Sequence, residues 1–405
     1  MNLHSLPESH REAYRDVLGY AFRPESGPDW DHSDHPDPDI YHPYGFYDAP
    51  PDADPDDLST EDLLTVCAYY DFSARVRDEW HPLPGITAVA SPPELRRQGH
   101  ISEMFDQLLV ELRESGRYLS ALWPFEYEFY RRFGWATSNN YAQTKISPDD
   151  LADVVPDPDG EFVRLEADDW ERVDGLYRTA STEDLALDPT EGWWRYRVFR
   201  GWESDPYVYG WERDGELRGN LIFRIEGDWD SRSMTVVALV AVDSEARGHL
   251  LRFLRDHDSQ VDEITIGREH ESTRLIDDLP DPRAATVEIK PGPMVRIVDV
   301  QAALEAVSLD ETTTDSLVID VTDDRCAWND QTLRLDVDAG STTVTQTDAD
   351  ADATVEIGAL SQLLVGARTA ESLSRTAYLS AHTAGALDTL DSVFTQRDVY
   401  LREGF

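Results

Sequence analysis

Apolar residues recur at helical spacing most clearly at Ile101, Met104, Phe105, Leu108, Leu109 and Leu112, and the run stops at Ser115-Gly116. Steps of three and four lay one apolar stripe along a helix, and the Ser-Gly pair ends it. Before this helix stand a β-prone run over 85–90 and the turn Ser91-Pro92-Pro93-Glu94-Leu95-Arg96-Arg97-Gln98-Gly99. After it, 118–122 reads as the next strand, leading through Pro124 into an aromatic stretch over 125–135. Upstream, Tyr14, Val17, Leu18 and Phe22 predict an amphipathic helix over 10–22, and two strands are predicted over 63–70 and 72–76. Between them, 24–58 has no period and is rich in Pro, Asp, Gly and aromatics, which predicts a long exposed loop.

A second α/β segment is predicted over 162–290, with strands at 221–225 and 234–242 and a helix at 246–256. Its strand–turn–helix order loosely repeats that of 86–113, which suggests a degenerate internal duplication. The repeat lacks the Arg-x-x-Gly spacing, because Arg247 and Gly248 are adjacent. A third segment opens near Met294: a short helix around 302–307, strands at 316–321, 332–337, 342–347 and 354–357, then helices around 360–365 and 384–394. The division predicted is therefore 1–150, 151–292 and 293–405, with α/β character in the first two and α+β in the last.

Composition narrows the partners. The 405 residues carry 36 Lys and Arg against 81 Asp and Glu, a formal net charge of −45. Phosphate backbones and anionic lipid would both be repelled, so nucleic-acid and membrane-surface binding are not expected. The carboxylates are spread along the whole chain and Lys145 and Lys290 are the only lysines, a pattern that predicts adaptation to high salt. Cys67 and Cys326 stand apart, without a CxxC or Cys/His cluster, so neither a disulfide framework nor a structural zinc site is expected. His32, His35 and His42 lie in the acidic loop without ligand spacing, and no metal is predicted. There is no long apolar run and no basic-then-apolar leader, which predicts a cytoplasmic protein.

The turn at 96–99 has a physical use. A helix N-terminus offers unpaired N–H groups and the positive end of a dipole, Gly99 lets the backbone come close, and Arg96 and Arg97 add charge. A diphosphate is the natural guest; the plain alternative is a surface helix that carries arginine by chance. Tyr130, among Tyr127, Phe129 and Phe133, reads by itself as a core residue. Phe405 reads by itself as a frayed end, although Val399, Tyr400 and Leu401 are apolar enough to dock.

Strand, phosphate-type turn, amphipathic helix, strand and the Tyr130-Arg131-Arg132-Phe133-Gly134-Trp135 segment together resemble the GNAT acetyltransferase family. Arg96 and Gly99 match its Arg/Gln-x-x-Gly-x-Gly/Ala loop, with Ile101 at the final Gly/Ala place. The whole chain resembles the Eis (enhanced intracellular survival) branch. Besides residues 119–135, Met294-Val295-Arg296-Ile297-Val298-Asp299-Val300, the 320–329 run and the terminal Phe405 carry that likeness. It implies tandem GNAT folds, the N-terminal one active and the central one degenerate, followed by a sterol-carrier-like α+β domain.

The likeness also implies acetyl-CoA as cosubstrate. Val89, Ala90 and Ser91 would lie along its pantetheine arm, with Arg97, Gln98, Gly99, His100, Ile101 and Ser102 around its diphosphate and Arg96 beside them. Phe125 and Glu126 would be later cofactor contacts. Tyr130 would be the general acid, and the terminal carboxylate of Phe405 the general base. The function implied is N-acetylation of an amine (a polyamine, an aminoglycoside-like molecule or a lysine) by direct attack, in a homo-oligomer such as a hexamer. The rival reading is a module for lipid or another hydrophobic ligand with a silent acetyltransferase half; a longer acyl donor is a further variant.

Overall fold

The computed structural model describes all 405 residues except 28–36, 153–154, 202–203, 229–230, 274 and 311–312. The described residues form two compact units, one of 1–35, 40–138 and 293–405, the other of 36–39 and 139–292.

In chain order, the first unit begins with β1 (Asn2–Ser5), α1 (Arg11–Phe22), β2 (Tyr41–Tyr47), β3 (Leu63–Val76) and β4 (Glu79–Ala90). It continues with α2 (His100–Glu114), β5 (Leu119–Leu122), α3 (Tyr127–Arg131) and β6 (Ala136–Thr137). The second unit holds β7 (Asn140–Ile146), β8 (Glu161–Arg164), α4 (Trp170–Ala180), α5 (Glu191–Trp193), β9 (Tyr207–Arg213) and β10 (Glu216–Asp228). It ends with β11 (Ser231–Ala241), α6 (Ser244–Arg255), β12 (Glu263–His270), α7 (Leu275–Asp278) and β13 (Thr286–Pro291). The chain then returns to the first unit through β14 (Met294–Ile297), α8 (Val300–Ala306), β15 (Thr314–Thr322), β16 (Gln331–Asp338), β17 (Ser341–Gln346) and β18 (Ala353–Glu356). It closes with α9 (Ile357–Leu364), α10 (Ala370–Ser374), β19 (Leu379–Ala381) and α11 (Ala386–Val393).

Among the described residues three sheets result, in the orders β1-β2-β3-β4-β5-β14-β6, β13-β7-β12-β11-β10-β9-β8 and β17-β16-β15-β18-β19. In the first, α2 links β4 to β5 as a parallel crossover, and the stripe foreseen from the sequence is its buried face. Met104, Phe105, Leu108, Leu109 and Leu112 are each fully buried in a core shared with Met294, Val298 and Cys326. Each such large side chain contributes about 1.5–3 kcal/mol of burial. β14 lies between β5 and β6, pairing antiparallel with both. A strand that follows the second unit in sequence therefore completes the first sheet.

The exposed loop predicted over 24–58 is corrected in part, because β2 lies within it. β2 pairs β1 and β3, and Tyr44, Gly45, Phe46 and Tyr47 are buried. Pro43 and Gly45 disguised the strand; Gly45 is required because the ring of Tyr47 lies where a Cβ would be. The two strands predicted at 63–70 and 72–76 are one continuous β3. His32 and His35 lie outside the described residues, and His42 sits on β2 with its ring 5.0 Å from that of Tyr69. Among the described residues no group of three or more His, Cys, Asp or Glu is placed to hold a metal ion, and no helix is long and apolar enough to cross a membrane.

In the second unit β11, α6 and β12 repeat the strand–helix–parallel strand order of β4, α2 and β5. The helix starts differ in one decisive respect. Asp243 caps α6, its Oδ1 accepting from the Ala246 N–H at 2.9 Å, and this bond holds its carboxyl below the usual range. A carboxylate thus already occupies the place an anion would take. No side chain caps α2.

Candidate active site

The site grows from a defect in β4. Opposite Cys67 on β3, β4 carries both Ala88 and Val89: the register passes from Ala68↔Thr87 to Val66↔Ala90. Ala88 is turned to φ +55°. Such a bulge bends the strand and leaves one residue unpaired. On its other side β4 pairs β5 only at Gly85↔Ala121 and Ile86↔Leu122. β5 ends at Leu122, so beyond Ile86 β4 has no β5 partner along the stretch that carries Val89 and Ala90. Thr65 fixes the end of β4, donating to the Ala90 carbonyl at 2.5 Å and accepting from the buried Ser91 hydroxyl at 2.9 Å.

The turn after β4 is built to leave its donors open. Arg97 has φ +61°, and Gly99, at φ +94°, is the residue before α2, with open space where its Cβ would be. Gln98 steadies the turn by donating to the Glu94 carbonyl at 3.0 Å. Ile101 packs against the buried core while also lining the cleft at this turn.

A cleft of about 690 Å³ opens here, lined by Ser91, by all of 95–102, and by Phe129, Arg132, Phe133, Asp324 and Arg325. That volume falls within the range usual for ligand pockets, about 300–1,000 Å³. It holds four arginines and one carboxylate in a chain where acids outnumber bases by 81 to 36. An open helix N-terminus, a glycine allowing close approach and the adjacent Arg96 and Arg97 fit the diphosphate of an acyl-CoA.

Of the residues foreseen from the sequence, Ser91, Arg96, Arg97, Gln98, Gly99, His100, Ile101 and Ser102 line this cleft. Arg96 donates to the Ser91 carbonyl at 3.3 Å, while Arg97 is exposed and makes no hydrogen bond or ion pair among the described residues. Phe125 is 67% exposed, packed edge-on against Tyr130 at 5.3 Å, and Glu126 is the residue preceding α3; neither lines the cleft. Phe129, Arg132, Phe133, Asp324 and Arg325 were not foreseen. The last two come from the C-terminal segment, and no local pattern marks them as facing this cleft.

Tyr130 is buried on α3 among Phe105, Phe125 and Phe129. Burial, and then the proximity of Cys67, push its pKa well above the tyrosine range. Its hydroxyl makes no hydrogen bond among the described residues, so a protonated donor faces no protein acceptor. The Cys67 thiol, fully buried beneath the bulge, is pushed up to about 12 by desolvation and is inert as a nucleophile.

Midway along β4 the chain terminus docks. Leu401 is fully buried, the Glu403 carbonyl accepts from Trp123 Nε1 at 2.5 Å, and the Phe405 ring packs on Phe72 at 5.3 Å. A Cβ on Gly85 would lie 2.7 Å from that ring. Gly85 is in the last paired stretch before β4 and β5 separate.

Comparison with known proteins accords with this geometry. Residues 2–138 and 185–297 match models of acetyltransferase (GNAT) domains, and 300–402 match a sterol carrier protein domain. The architecture is thus two GNAT domains followed by a sterol-carrier-like domain. An uncharacterized N-acetyltransferase of Streptomyces avermitilis is 28% identical over 330 residues, covering 78% of this chain and 79% of that one. A probable N-acyltransferase from Enterococcus faecalis superposes with a TM-score of 0.83 at 24% identity, over 100% of this chain and 99% of that one. Eis1 from Mycobacterium abscessus does so with a TM-score of 0.73 at 23% identity, over the whole of both chains. The two GNAT domains and the N-acetyltransferase relatives mark the chain as an acyl-CoA-dependent N-acetyltransferase.

Proposed function

We propose that the chain is an Eis-like enzyme that transfers the acetyl group of acetyl-CoA to a cationic amine by direct attack. The observation that carries this reading is the arginine-lined cleft at the uncapped start of α2, opening beside the bulged end of β4. In this reading residues 97–102 hold the diphosphate, and β4 near Val89 supplies N–H groups to the pantetheine arm and the thioester oxygen.

The amine nitrogen attacks the thioester carbon, the C–N bond forms and the C–S bond breaks. The sulfur leaves with the electron pair and takes a proton from Tyr130; the ammonium has already lost one proton to become the neutral nucleophile, and the second proton that its nitrogen loses on forming the amide restores Tyr130 through water. A thiol with a reference pKa of about 8.5 needs only a modest acid. The terminal carboxylate of Phe405 is the group assigned to the amine. With a reference pKa of about 3.3–3.7 it is a weak base, so it orients the amine or passes its proton on through water. The acidic surface favours polyamines, aminoglycoside-like molecules or lysine side chains, less strongly as salt rises. The same likeness suggests a homo-oligomer, up to a hexamer, which sedimentation at molar salt tests.

The experiment is acetyl transfer to a panel of amines at high salt, read by CoA release, for the native chain and for one extended beyond Phe405. Turnover by the native chain, lost on extension while acetyl-CoA still binds, is the expected result. Turnover indifferent to extension removes the terminal carboxylate from the mechanism. Failure of acetyl-CoA to bind at all overturns the reading and favours a lipid-binding module.

A further inference from the structure

The diphosphate seat accounts for Arg97 and the start of α2, yet the same cleft contains two more guanidinium groups from different parts of the unit. Arg132 follows α3, and Arg325 comes from the sterol-carrier-like segment between β15 and β16. Both lie over the ring of Phe133, at 4.9 Å and 4.8 Å from its centroid. Arg132 also covers Phe129 at 4.4 Å, is exposed, and makes no hydrogen bond or ion pair among the described residues. Arg325 spends one nitrogen, Nη2, on the Ser102 hydroxyl at 2.5 Å and on Asp106 at 2.9 Å. Its Nε is buried without a hydrogen-bond partner. Two like charges on one ring repel each other, and the one carboxylate lining the cleft, Asp324, is exposed. An anion in the cleft that both line would offset their like charge and accept from Arg132, whose donors are free.

The position of Arg325 is built rather than incidental. Asp323 is buried and accepts from the backbone N–H groups of Arg325 at 3.1 Å and Cys326 at 3.2 Å. Its other oxygen accepts from the fully buried Arg296 at 2.7 Å and from Asn329 at 3.0 Å. This network fixes the backbone that carries Arg325 against the first turn of α2.

We infer that Arg132 and Arg325 seat the 3′-phosphate of the acyl-CoA, so that the sterol-carrier-like segment completes the donor site. The inference rests on the acyl-CoA reading given above. The 3′-phosphate and the diphosphate sit on one ribose, so a second anion seat must lie within a sugar's reach of the first. Arg325 meets Ser102, three residues past Gly99, which satisfies that requirement. A phosphomonoester presents a doubly charged, three-oxygen face that a pair of guanidinium groups matches.

The test is calorimetric binding of CoA and of 3′-dephospho-CoA to the full-length protein at one fixed salt concentration. The native chain is expected to prefer CoA by about 10- to 100-fold, the scale of charge-assisted hydrogen bonds. Arg132→Ala should cut CoA affinity toward that of dephospho-CoA while leaving dephospho-CoA binding unchanged, and Arg325→Gln, which also releases Ser102, should cost CoA more affinity than dephospho-CoA. Arg97→Ala should weaken both ligands by a similar factor. Arg132 makes no bond to the C-terminal segment, so its variant tests the seat even if Arg325→Gln loosens the fold, which a melting curve would reveal. Equal binding of the two ligands by the native chain, or equal losses in the Arg132 variant, overturns the inference and leaves the acyl-CoA reading standing. No binding of either ligand overturns both.

Discussion

The ring of Phe405 lies against the backbone of Gly85, so close that a β-carbon there would sit 2.7 Å from it. Gly85 pairs with Ala121 just before β4 and β5 separate. The C-terminal segment thus reaches the N-terminal GNAT domain where β4–β5 pairing ends, and glycine is what admits it. Gly85→Ala is expected to displace the ring, lowering turnover by on the order of 10-fold or more while acetyl-CoA affinity stays within twofold. Misplacing a reacting group by about 1 Å costs as much as 10²-fold elsewhere. Steady-state kinetics with calorimetry separates this from general damage, because unchanged turnover would mean that the terminus does no work at the site.

Tyr130→Phe removes a hydroxyl without altering the ring's contacts with Phe105 and Phe129. Turnover should fall by about 10²-fold, the lower end for loss of a general acid, with acetyl-CoA affinity retained. Burial raises the phenol well above its ordinary range, so it keeps its proton through neutral and mildly alkaline solution. No alkaline loss of kcat below about pH 10, the ordinary tyrosine value, should therefore come from this group. A limb near pH 8 that disappears in Tyr130→Phe would contradict the assignment.

Much of the N-terminal domain was legible because its signals are local. The stripe from Ile101 to Leu112 gives α2, and Gly99 with the adjacent arginines marks the turn. What stayed hidden depends on segments distant in sequence. Nothing in Met294-Val295-Arg296-Ile297 shows that it inserts between β5 and β6. β2 was obscured because Pro43 and Gly45 read as breakers, although tertiary packing of Tyr44, Phe46 and Tyr47 overrides them. Arg325 could not be singled out because its role depends on the network around Asp323, which forms only when β14 is in place.

That network also has a stability consequence. Arg296 and Asp323 are 0% and 1% exposed at their side chains and pair at 2.7 Å. Removing one member leaves a buried charge unpaired, at a cost of about 3–5 kcal/mol. Asp323→Ala should show that loss in denaturant titrations. Gly134→Ala should be comparably damaging, since Gly134 holds φ +89° and the Arg296 guanidinium occupies the place of its Cβ. An Asp323→Ala chain as stable as the native one would refute the account of the pair.

Cys67 predicts an alkaline weakness. Burial raises its thiol from an ordinary value of 9.0 to about 12 in the folded protein. A raised folded value means that the contribution is complete below about pH 9 and is lost as pH climbs toward 12. Melting temperature should fall over that window in the native chain and fall less steeply in Cys67→Ala, whose starting value will be lower because a buried atom is gone. Parallel slopes in the two proteins would exclude the thiol as a source.

The charge of −45 makes the strongest demand on conditions. Arginine–carboxylate pairs such as Arg213–Glu245, Arg218–Asp243 and Arg195–Asp168 are exposed or half-exposed and contribute little individually. Unpaired carboxylates outnumber them, so self-repulsion sets the response to salt. The Debye length shrinks from about 10 Å at 0.1 M to about 3 Å at 1 M. The repulsion should therefore be largely screened by molar KCl, with most of the gain in melting temperature between those two concentrations. A circular dichroism melt followed from dilute buffer to 3 M KCl checks this. A curve unchanged across the series would contradict salt adaptation. A rise that began only above 1 M would point instead to exclusion of salt from apolar surface.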